Sequence, residues 1–399
     1  MPIGFVSTQT KEEWTMRKST LALGLSASMA AGSVAAQGVL SYSKDGANVQ
    51  LYGDIDYYLS YMTSSSGSKL IALQDGAYLR TRLGVKGDKD IGNGYAAKFN
   101  LEQGLNETNG AQADATRLFD RQLWAGFATP GGELRFGRQN TAIFYRGGYI
   151  DFTARTLGSV VNTFGTPSRY DSDIAYISPR WAGLLFEAHY SIQGSQPQHS
   201  TNQDVYQGAL DYENGPFRIG YAGIAGKPPA GSVVDKTVVY NNFYGNYDYG
   251  VGKVYLVYIR SNNQSTTAGT GGTLSSGGNP LGTTGALVTG TDTGANTYYN
   301  IYQVSVDYRL TPQVRIGALY GQIKDDSGGG KNADGWAFGS YWDVTKELMI
   351  YGLGNSLSND PNAGFRPSGS AGLTKTFTAP GDVNGRTIRM GVVGAVYKF

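Results

Sequence analysis

Residues 49–61 read Val-Gln-Leu-Tyr-Gly-Asp-Ile-Asp-Tyr-Tyr-Leu-Ser-Tyr, a stretch in which apolar and polar side chains alternate. Successive side chains of a β-strand point to opposite faces, so this alternation predicts a strand with one apolar and one polar face. Strands in soluble sheets average about 5–6 residues, whereas about ten tilted residues cross a bilayer. The length of this stretch therefore favours a membrane strand over a strand of a soluble sandwich.

The same alternation returns along the chain, and its polar parity carries charged side chains. It is found at residues 79–86, 95–102, 217–221, 302–310 and 314–320. Short turns are expected at 87–94, 129–132, 178–183, 213–216, 246–252, 309–313 and 343–347. Longer polar or glycine-rich connections are expected at 62–76, 106–117, 142–170, 194–204, 227–236, 261–297, 325–333 and 358–384. Seven short turns that alternate with eight long loops predict an all-β, sixteen-stranded antiparallel transmembrane β-barrel.

The composition excludes several other classes of protein. The chain has 399 residues with 58 glycines, 29 tyrosines, two histidines and no cysteine. Without cysteine it has no disulfide framework and no thiolate metal site, and we expect no cofactor. Lysine and arginine number 33 against 31 aspartates and glutamates, which gives no support for a nucleic-acid partner.

The N-terminal part of the chain has the features of an export signal. A basic start at residues 16–18 precedes an apolar run over 21–30, and small residues lead up to Ala36. We expect a signal peptide over residues 1–36 that is cleaved near Ala36, with residues 1–15 a doubtful extension. Residues 37–399 are then the exported barrel.

Five short motifs follow one another along the chain. They are Val-Gln-Leu-Tyr-Gly-Asp-Ile-Asp at 49–56, Thr-Arg-Leu-Gly-Val-Lys-Gly-Asp-Lys-Asp-Ile-Gly-Asn-Gly at 81–94, Leu-Phe-Asp-Arg-Gln at 118–122, Gly-Arg-Gln at 137–139 and Tyr-Ile-Ser-Pro at 176–179. In this order they resemble the motifs of the trimeric general porins of Gram-negative bacteria, most closely the β-proteobacterial branch. The resemblance covers about residues 49–399. It implies a homotrimer of sixteen-stranded barrels and a third loop folded into the lumen as a constriction.

Residues 142–170 are the candidate constriction. The segment is long and aromatic, follows the predicted fifth strand, and stands where the resemblance implies the inward-folded third loop. The alternative is an ordinary surface loop. Residues 142–170 carry the positive charges of Arg146, Arg155 and Arg169 and the negative charge of Asp151 alone. The segment therefore has a local excess of two positive charges. Because arginine stays ionised, a few fixed arginines bias ion traffic through a narrow waist. This segment therefore predicts a waist that favours anions.

Further arginines are expected on the barrel wall. Arg80 and Arg82 share the polar parity of the predicted second strand, so they should project into the lumen, with the rim or the lipid headgroups as the alternative. Arg121 and Arg138 match positions that the resemblance assigns to inward or subunit-contact arginines. Their strand parity leaves both roles open. The resemblance also implies a basic residue just before the Tyr-x-Ser-Pro motif, where this chain has Ala175.

These features predict a passive diffusion channel for small hydrophilic solutes and ions, located in the outer membrane of a Gram-negative bacterium. Residues 142–170 would filter solutes by their charge and size. The wall opposite the arginines is expected to offer acidic side chains from the set Asp151, Asp54, Asp56, Glu102 and Asp307. Outer-membrane lipid and lipopolysaccharide are the expected surroundings of the trimer.

Two other classes of function stay open at this point. The triplets that begin at Asp292 and Asp326 resemble those of aspartic proteases but lack apolar flanks, and His189 has no serine partner in a motif. We therefore expect no enzyme activity. The long loops 261–297 and 358–384 are candidates for an adhesion or phage-receptor surface, which usually accompanies pore function rather than replacing it.

Overall fold

The computed structural model describes residues 40–192, 204–228, 231, 233–234, 236–263, 296–373 and 375–399. The predicted signal peptide and most of the predicted loop 261–297 lie outside these residues. Within them the protein is almost entirely β-structure, and none of its helices is long and apolar enough to cross a membrane.

The chain forms nineteen strands and three short α-helices within the described residues. The strands are β1 (Leu40–Lys44), β2 (Ala47–Ser64), β3 (Lys69–Asp75), β4 (Arg82–Gly92), β5 (Tyr95–Asn106), β6 (Ala111–Gln112), β7 (Gln122–Thr129), β8 (Gly132–Asn140), β9 (Arg169–Ile177), β10 (Leu184–Ser191), β11 (Val205–Asn214), β12 (Phe217–Gly226), β13 (Val238–Asp248), β14 (Lys253–Ser261), β15 (Tyr299–Arg309), β16 (Val314–Asp325), β17 (Ala333–Asp343), β18 (Leu348–Asn359) and β19 (Thr387–Lys398). The helices are α1 (Ala142–Tyr145), α2 (Val160–Phe164) and α3 (Pro380–Val383), and a 3-10 turn covers Gly147–Tyr149.

All described strands except β1, β3 and β6 form one closed antiparallel ring, which confirms the predicted barrel of sixteen strands. Neighbours in the ring follow chain order, and β19 closes the ring by pairing with β2. The three remaining strands are short additions: β1 and β3 pair with the two ends of β2, and β6 pairs with β5.

Two predicted connections differ from the structure in extent. β4 continues to Gly92, so the expected turn at 87–94 is reduced to residues 93–94. The expected loop at 62–76 instead contains the end of β2 and all of β3. β4 pairs only with residues 47–54 of β2, and β3 satisfies the backbone groups of β2 beyond that point.

The seam of the ring depends on a glycine. Gly53 and Phe399 exchange two backbone hydrogen bonds, at 3.0 and 3.1 Å. A Cβ atom at position 53 would lie 2.4 Å from the Phe399 ring and 2.7 Å from the Arg82 carbonyl oxygen. Only glycine therefore lets the C-terminal aromatic ring close against β2.

The two faces of the ring have the composition that the alternation predicts. The outer face exposes large apolar side chains such as Leu59, Phe127 and Val393, which suits contact with lipid. The opposite parity is buried and carries many polar groups, among them Asp56, Glu102 and Glu187. The inner face is therefore the place where charge can act on a solute.

Candidate functional site

The segment between β8 and β9 lies inside the ring and is tied to strands around half of it. The backbone N–H of Ala142 donates to the Gln207 side chain of β11 at 3.1 Å, and Asn246 of β13 donates to the Tyr149 carbonyl at 2.9 Å. Farther along, the N–H of Phe152 donates to Ser305 of β15 at 3.0 Å. This segment, residues 141–168, is called the third loop below.

Apolar side chains of the third loop pack against glycines of β16 and β17. The Phe152 ring occupies the space where a side chain at Gly317 would begin, with its Cδ2 atom 2.3 Å from the ideal Cβ position. Arg315 of β16 donates to the Phe152 carbonyl at 2.7 Å. Val160 packs near Gly321 and Gly335 in the same way. Glycines on the inner wall thus make room for the loop.

Asp151 organises the middle of the third loop. Its Oδ1 accepts hydrogen bonds from the N–H groups of Thr153 and Arg155 at 2.9 and 3.0 Å, and its Oδ2 accepts from Ser159 at 2.7 Å. Gln303 of β15 donates to the same Oδ2 at 2.8 Å. Asp151 therefore fixes the loop on the wall and forms no ion pair in the described part of the chain.

Two of the predicted wall arginines, Arg82 and Arg121, form ion pairs with acidic side chains of neighbouring strands. Arg82 contacts Asp54 at 2.6 Å and Glu102 at 3.7 Å. Arg121 contacts Glu102 at 2.7 Å. The acids Asp54 and Glu102 thus stand beside the arginines, whereas the sequence prediction placed them on the opposite wall.

The other two acids predicted for that wall have separate partners. Asp56 accepts from the N–H groups of Tyr78 and Leu79, both at 2.7 Å. Asp307 accepts from the Tyr255 hydroxyl at 2.7 Å and lies 3.5 Å from Arg315.

Arg80 precedes β4, so the strand parity used to place it does not apply at this position. It is half-buried and donates to the Asn106 side chain at 3.4 Å. The structure shows no ion pair for Arg80 among the described residues.

Arg138 lies at a register shift between Gly137 and Gln139, where β8 and β9 do not pair regularly. It contacts Asp171 at 2.7 Å and donates to the Asp120 carbonyl at 2.5 Å. Arg117 also contacts Asp171, at 2.8 Å. Arg138 thus belongs to a network that joins the wall to the loop before β7.

Arg146 is neutralised by a residue that the sequence analysis did not assign to the waist. It contacts Glu187 of β10 at 2.6 Å and donates to the Ala142 carbonyl at 2.7 Å. Glu187 also contacts the His189 ring at 2.8 Å, and the other ring nitrogen contacts Asp173 at 2.6 Å. Arg146 therefore adds little net charge to the waist.

Arg155 and Arg169 have a different environment. Each is 8 % exposed, and the structure shows no ion pair for either within the described residues. Their guanidinium carbons lie 4.4 and 4.8 Å from the centre of the Phe144 ring. Burial lowers the pKa of Arg155 from its ordinary value, but an arginine stays ionised at neutral pH. These two side chains carry unpaired positive charge in the third loop and at the start of β9.

Comparisons with known proteins agree with this architecture. The family profile described as Gram-negative porin matches residues 20–362. The chain belongs to this family. An outer membrane porin protein of Bordetella pertussis is 27 % identical over 378 residues, which cover 86 % of this chain and 95 % of that protein. This porin is therefore an outer-membrane channel of a Gram-negative bacterium.

Solved structures resemble this porin in fold. The anion-selective porin from Comamonas acidovorans has a TM-score of 0.68 at 18 % identity, with 88 % of this chain and all of that chain covered (100 %). The trimer form of OmpT from Vibrio cholerae has a TM-score of 0.59 at 16 % identity, covering 89 % of this chain and 100 % of that one.

A second element of this porin also reaches the lumen. The described residues of the last loop, 360–373 and 375–386, include Ala363 and Phe365, which are fully buried. Asn162 of α2 donates to the carbonyls of Ser368 and Gly369 at 2.6 and 3.1 Å. The last loop thus docks on the third loop through residues 363–369, whereas residues 360–362 and 378–381 of the candidate surface are exposed.

Several residues of the site were missed from the sequence. Arg135 is buried, contacts Glu133 at 2.5 Å and stacks on Trp124 at 4.4 Å. Phe144 and Glu187 were not singled out either. Alternation did place Gln303 and Ser305 on the inner face, which is the signal that could have identified them as anchors of the loop. Within the described ranges, no group of three or more acidic or histidine side chains is arranged to hold a metal ion.

Proposed function

We propose that this porin is a passive diffusion channel for small hydrophilic solutes and ions that prefers anions, with its filter at the third loop. Solutes would descend their gradients without an energy source or cofactor. The observation that carries the anion preference is the pairing pattern of the eight candidate residues at the waist.

Charge pairing separates these residues into two groups. Arg82, Arg121, Arg138 and Arg146 each contact a carboxylate within 2.7 Å, so their fields are largely cancelled at a distance. Arg80, Arg155 and Arg169 have no such contact in the described part of the chain, and Asp151 has no basic partner there, so the eight residues keep an excess of two unpaired positive charges. An unpaired charge about 8 Å from a passing ion, at an effective dielectric constant near 20, contributes ~2 kcal/mol. The net field at the waist is therefore positive.

The size filter is proposed from the packing of the third loop. The loop is buried along most of its length and is joined to strands from β10 to β16. A barrel of sixteen strands is wide enough to leave an aqueous channel when nothing fills it. A fixed loop inside such a barrel narrows the passage, and the docked last loop narrows it further.

Further parts of the proposal rest on the family and on fold neighbours. The neighbour from Comamonas acidovorans is named as anion-selective, and one neighbour from Vibrio cholerae is described as a trimer. We propose a homotrimer for this porin as well, surrounded by lipid and lipopolysaccharide. Crosslinking of the purified protein in detergent tests the trimer.

A catalytic role is not part of the proposal. Both ring nitrogens of His189 contact carboxylates, at 2.6 and 2.8 Å, and the nearby Ser191 hydroxyl donates to Asp173 at 2.7 Å. No hydroxyl is thus placed for His189 to activate among the described residues. Asp326 contacts Arg260 at 2.9 Å, and Asp292 of the other triplet lies outside the described residues.

The reversal potential of single channels tests the anion preference. The purified porin is inserted into a planar bilayer with a tenfold gradient of KCl. We expect a reversal potential displaced toward the chloride equilibrium potential, with a conductance that rises with salt concentration. A reversal potential displaced toward the potassium equilibrium potential would contradict the proposal.

A further inference from the structure

Phe144 joins two arginines that lack a carboxylate partner. The guanidinium carbon of Arg155 lies 4.4 Å from the centre of its ring, and that of Arg169 lies 4.8 Å from the same centre. An aromatic ring attracts a cation through its quadrupole and carries no net charge. Phe144 can therefore hold both guanidinium groups without cancelling their charge, which a carboxylate in the same place would do.

The backbone around Phe144 is anchored to the chain next to Arg169. Phe144 is in α1, and its N–H donates to the hydroxyl of the N-cap residue Thr141 at 3.1 Å. The Thr141 hydroxyl donates in turn to the Pro167 carbonyl at 2.9 Å. The N–H of Thr141 donates to the Ser168 carbonyl at 2.9 Å. The ring is thus fixed relative to the start of β9.

Arg155 reaches the ring from a backbone conformation that other residues maintain. Its φ angle is 58°, in the left-handed region that non-glycine residues rarely adopt. The Asp151 carboxylate accepts from the Arg155 N–H at 3.0 Å, and Asp151 is itself held by Gln303. Asn162 accepts a hydrogen bond from the Arg155 guanidinium at 3.5 Å, while the Nε atom of Arg155 has no hydrogen-bond partner among the described residues.

Arg169 is similarly left with unused hydrogen-bonding groups. Its Nε and Nη2 atoms are buried and have no hydrogen-bond partner in the described part of the chain. The cation–π contact with Phe144 is the close side-chain contact of this guanidinium, while the charges of Glu102, Asp120, Arg121 and Arg138 act on it from farther away. The position of the Arg169 charge therefore depends on the ring of Phe144.

We propose that Phe144 is a selectivity-determining positioning residue, which holds Arg155 and Arg169 in place at the waist without neutralising them. The direction of the expected change rests on the proposed anion preference. The inference itself concerns the difference in reversal potential between a Phe144 variant and wild type, not the sign of the wild-type reversal potential. Both arginines are nearly buried, so they act on passing ions through their field rather than by direct contact. Phe144 acts through them and needs no contact with the solute.

The test replaces the ring while keeping apolar volume. In Phe144→Leu the two guanidinium groups lose their common contact and move toward other acceptors. We expect the reversal potential in a KCl gradient to shift toward the potassium equilibrium potential relative to wild type, while single-channel conductance stays within about twofold. Phe144→Tyr keeps a ring and should retain the wild-type reversal potential. Phe127→Leu, on the outward face of β7, is the matched control and should change neither quantity.

A double-mutant cycle shows whether Phe144 acts through the arginines. In an Arg155→Gln and Arg169→Gln background, Phe144→Leu should cause no additional shift of the reversal potential. An equal shift in both backgrounds, or no shift in the wild-type background, would overturn the inference. The sign of the wild-type reversal potential tests the proposed function alone. The difference between Phe144→Leu and wild type tests Phe144 whatever that sign is.

Heat-dependent migration on gels checks that each variant is a folded barrel before recording. If Phe144→Leu does not fold, Phe144→Met provides a second apolar side chain without a ring, and the same shift is expected. Retention of the wild-type reversal potential by a folded Phe144→Met porin would also overturn the inference.

Discussion

Gln303 of β15 donates a hydrogen bond to Asp151 of the third loop at 2.8 Å, and its side-chain oxygen accepts from the N–H of Val160 at 2.8 Å. One wall side chain therefore holds the middle of the loop and the start of α2 together. Gln303 and Asp151 are both buried, so water does not readily replace their hydrogen bond when one partner is removed.

Gln303→Ala is expected to loosen the third loop. Loss of a buried hydrogen-bond partner costs about 1–3 kcal/mol, which is enough to populate undocked states of the loop but not to unfold the barrel. Single-channel recordings should show larger current noise and a higher mean conductance, with an unchanged melting temperature of the barrel. Gln322→Ala, on the outward parity of β16, is the control. Equal noise in Gln303→Ala and wild type would contradict the anchoring role.

Gly317→Ala is expected to displace the loop by steric overlap. A Cβ atom at this position would lie 2.3 Å from the Phe152 ring, which is far inside van der Waals contact. Gly391→Ala is a suitable control because nothing lies within 4 Å of the corresponding Cβ position. Trypsin should cut after Arg155 in folded Gly317→Ala and not in the control, as read by mass spectrometry. Protection of Arg155 in both variants would show that the loop accommodates the methyl group.

Shortening the last loop should enlarge the passage. Residues 367–371 include the carbonyls of Ser368 and Gly369 that accept from Asn162, so their deletion removes the contact between the two loops. We expect a higher single-channel conductance with the same sign of reversal potential, because Arg155 and Arg169 are untouched. Deletion of residues 108–110, an exposed turn whose hydrogen bonds stay within residues 106–111, serves as the control. Unchanged conductance would mean that the last loop does not limit the passage.

The order and spacing of the strands of this porin could be predicted from the sequence, because the pattern that marks each strand lies within a short stretch of residues. Alternation along each strand and the spacing of turns are properties of short stretches, and they place Gln303 and Arg82 on the polar parity of their strands. The third loop could be located by its length. Its secondary structure could not be predicted, since helices of four and five residues have no periodicity to detect.

The pairing of charges could not be predicted, because the partners are distant in sequence. Arg146 contacts Glu187, which is 41 residues away, and a register shift at Gly137 decides how Arg138 meets Asp171. Ala175 gives a related example. It stands between Arg135 and His189 on the two neighbouring strands, so basic side chains flank the position at which the resemblance implies one.

Two variants with the same net charge can separate the effect of charge at the waist from the effect of the overall charge of the porin. Asp54→Asn keeps the shape of the side chain but removes the carboxylate that Arg82 contacts at 2.6 Å. Asp88→Asn makes the same change of net charge on β4, on the strand face that carries Arg82 and six residues beyond it. At about 3.3 Å per residue this is roughly 20 Å away, beyond the Debye length of about 10 Å at 0.1 M salt.

We therefore expect Asp54→Asn to move the reversal potential in a KCl gradient toward the chloride equilibrium potential, and Asp88→Asn to move it much less. Arg82 also lies 3.7 Å from Glu102, so part of its charge stays compensated and the shift should be smaller than that of a wholly free arginine. The difference should shrink as the salt concentration rises, because screening weakens the field of Arg82. Equal shifts from the two variants would mean that ions respond to the overall charge of the channel, and the assignment of selectivity to the waist would then be wrong.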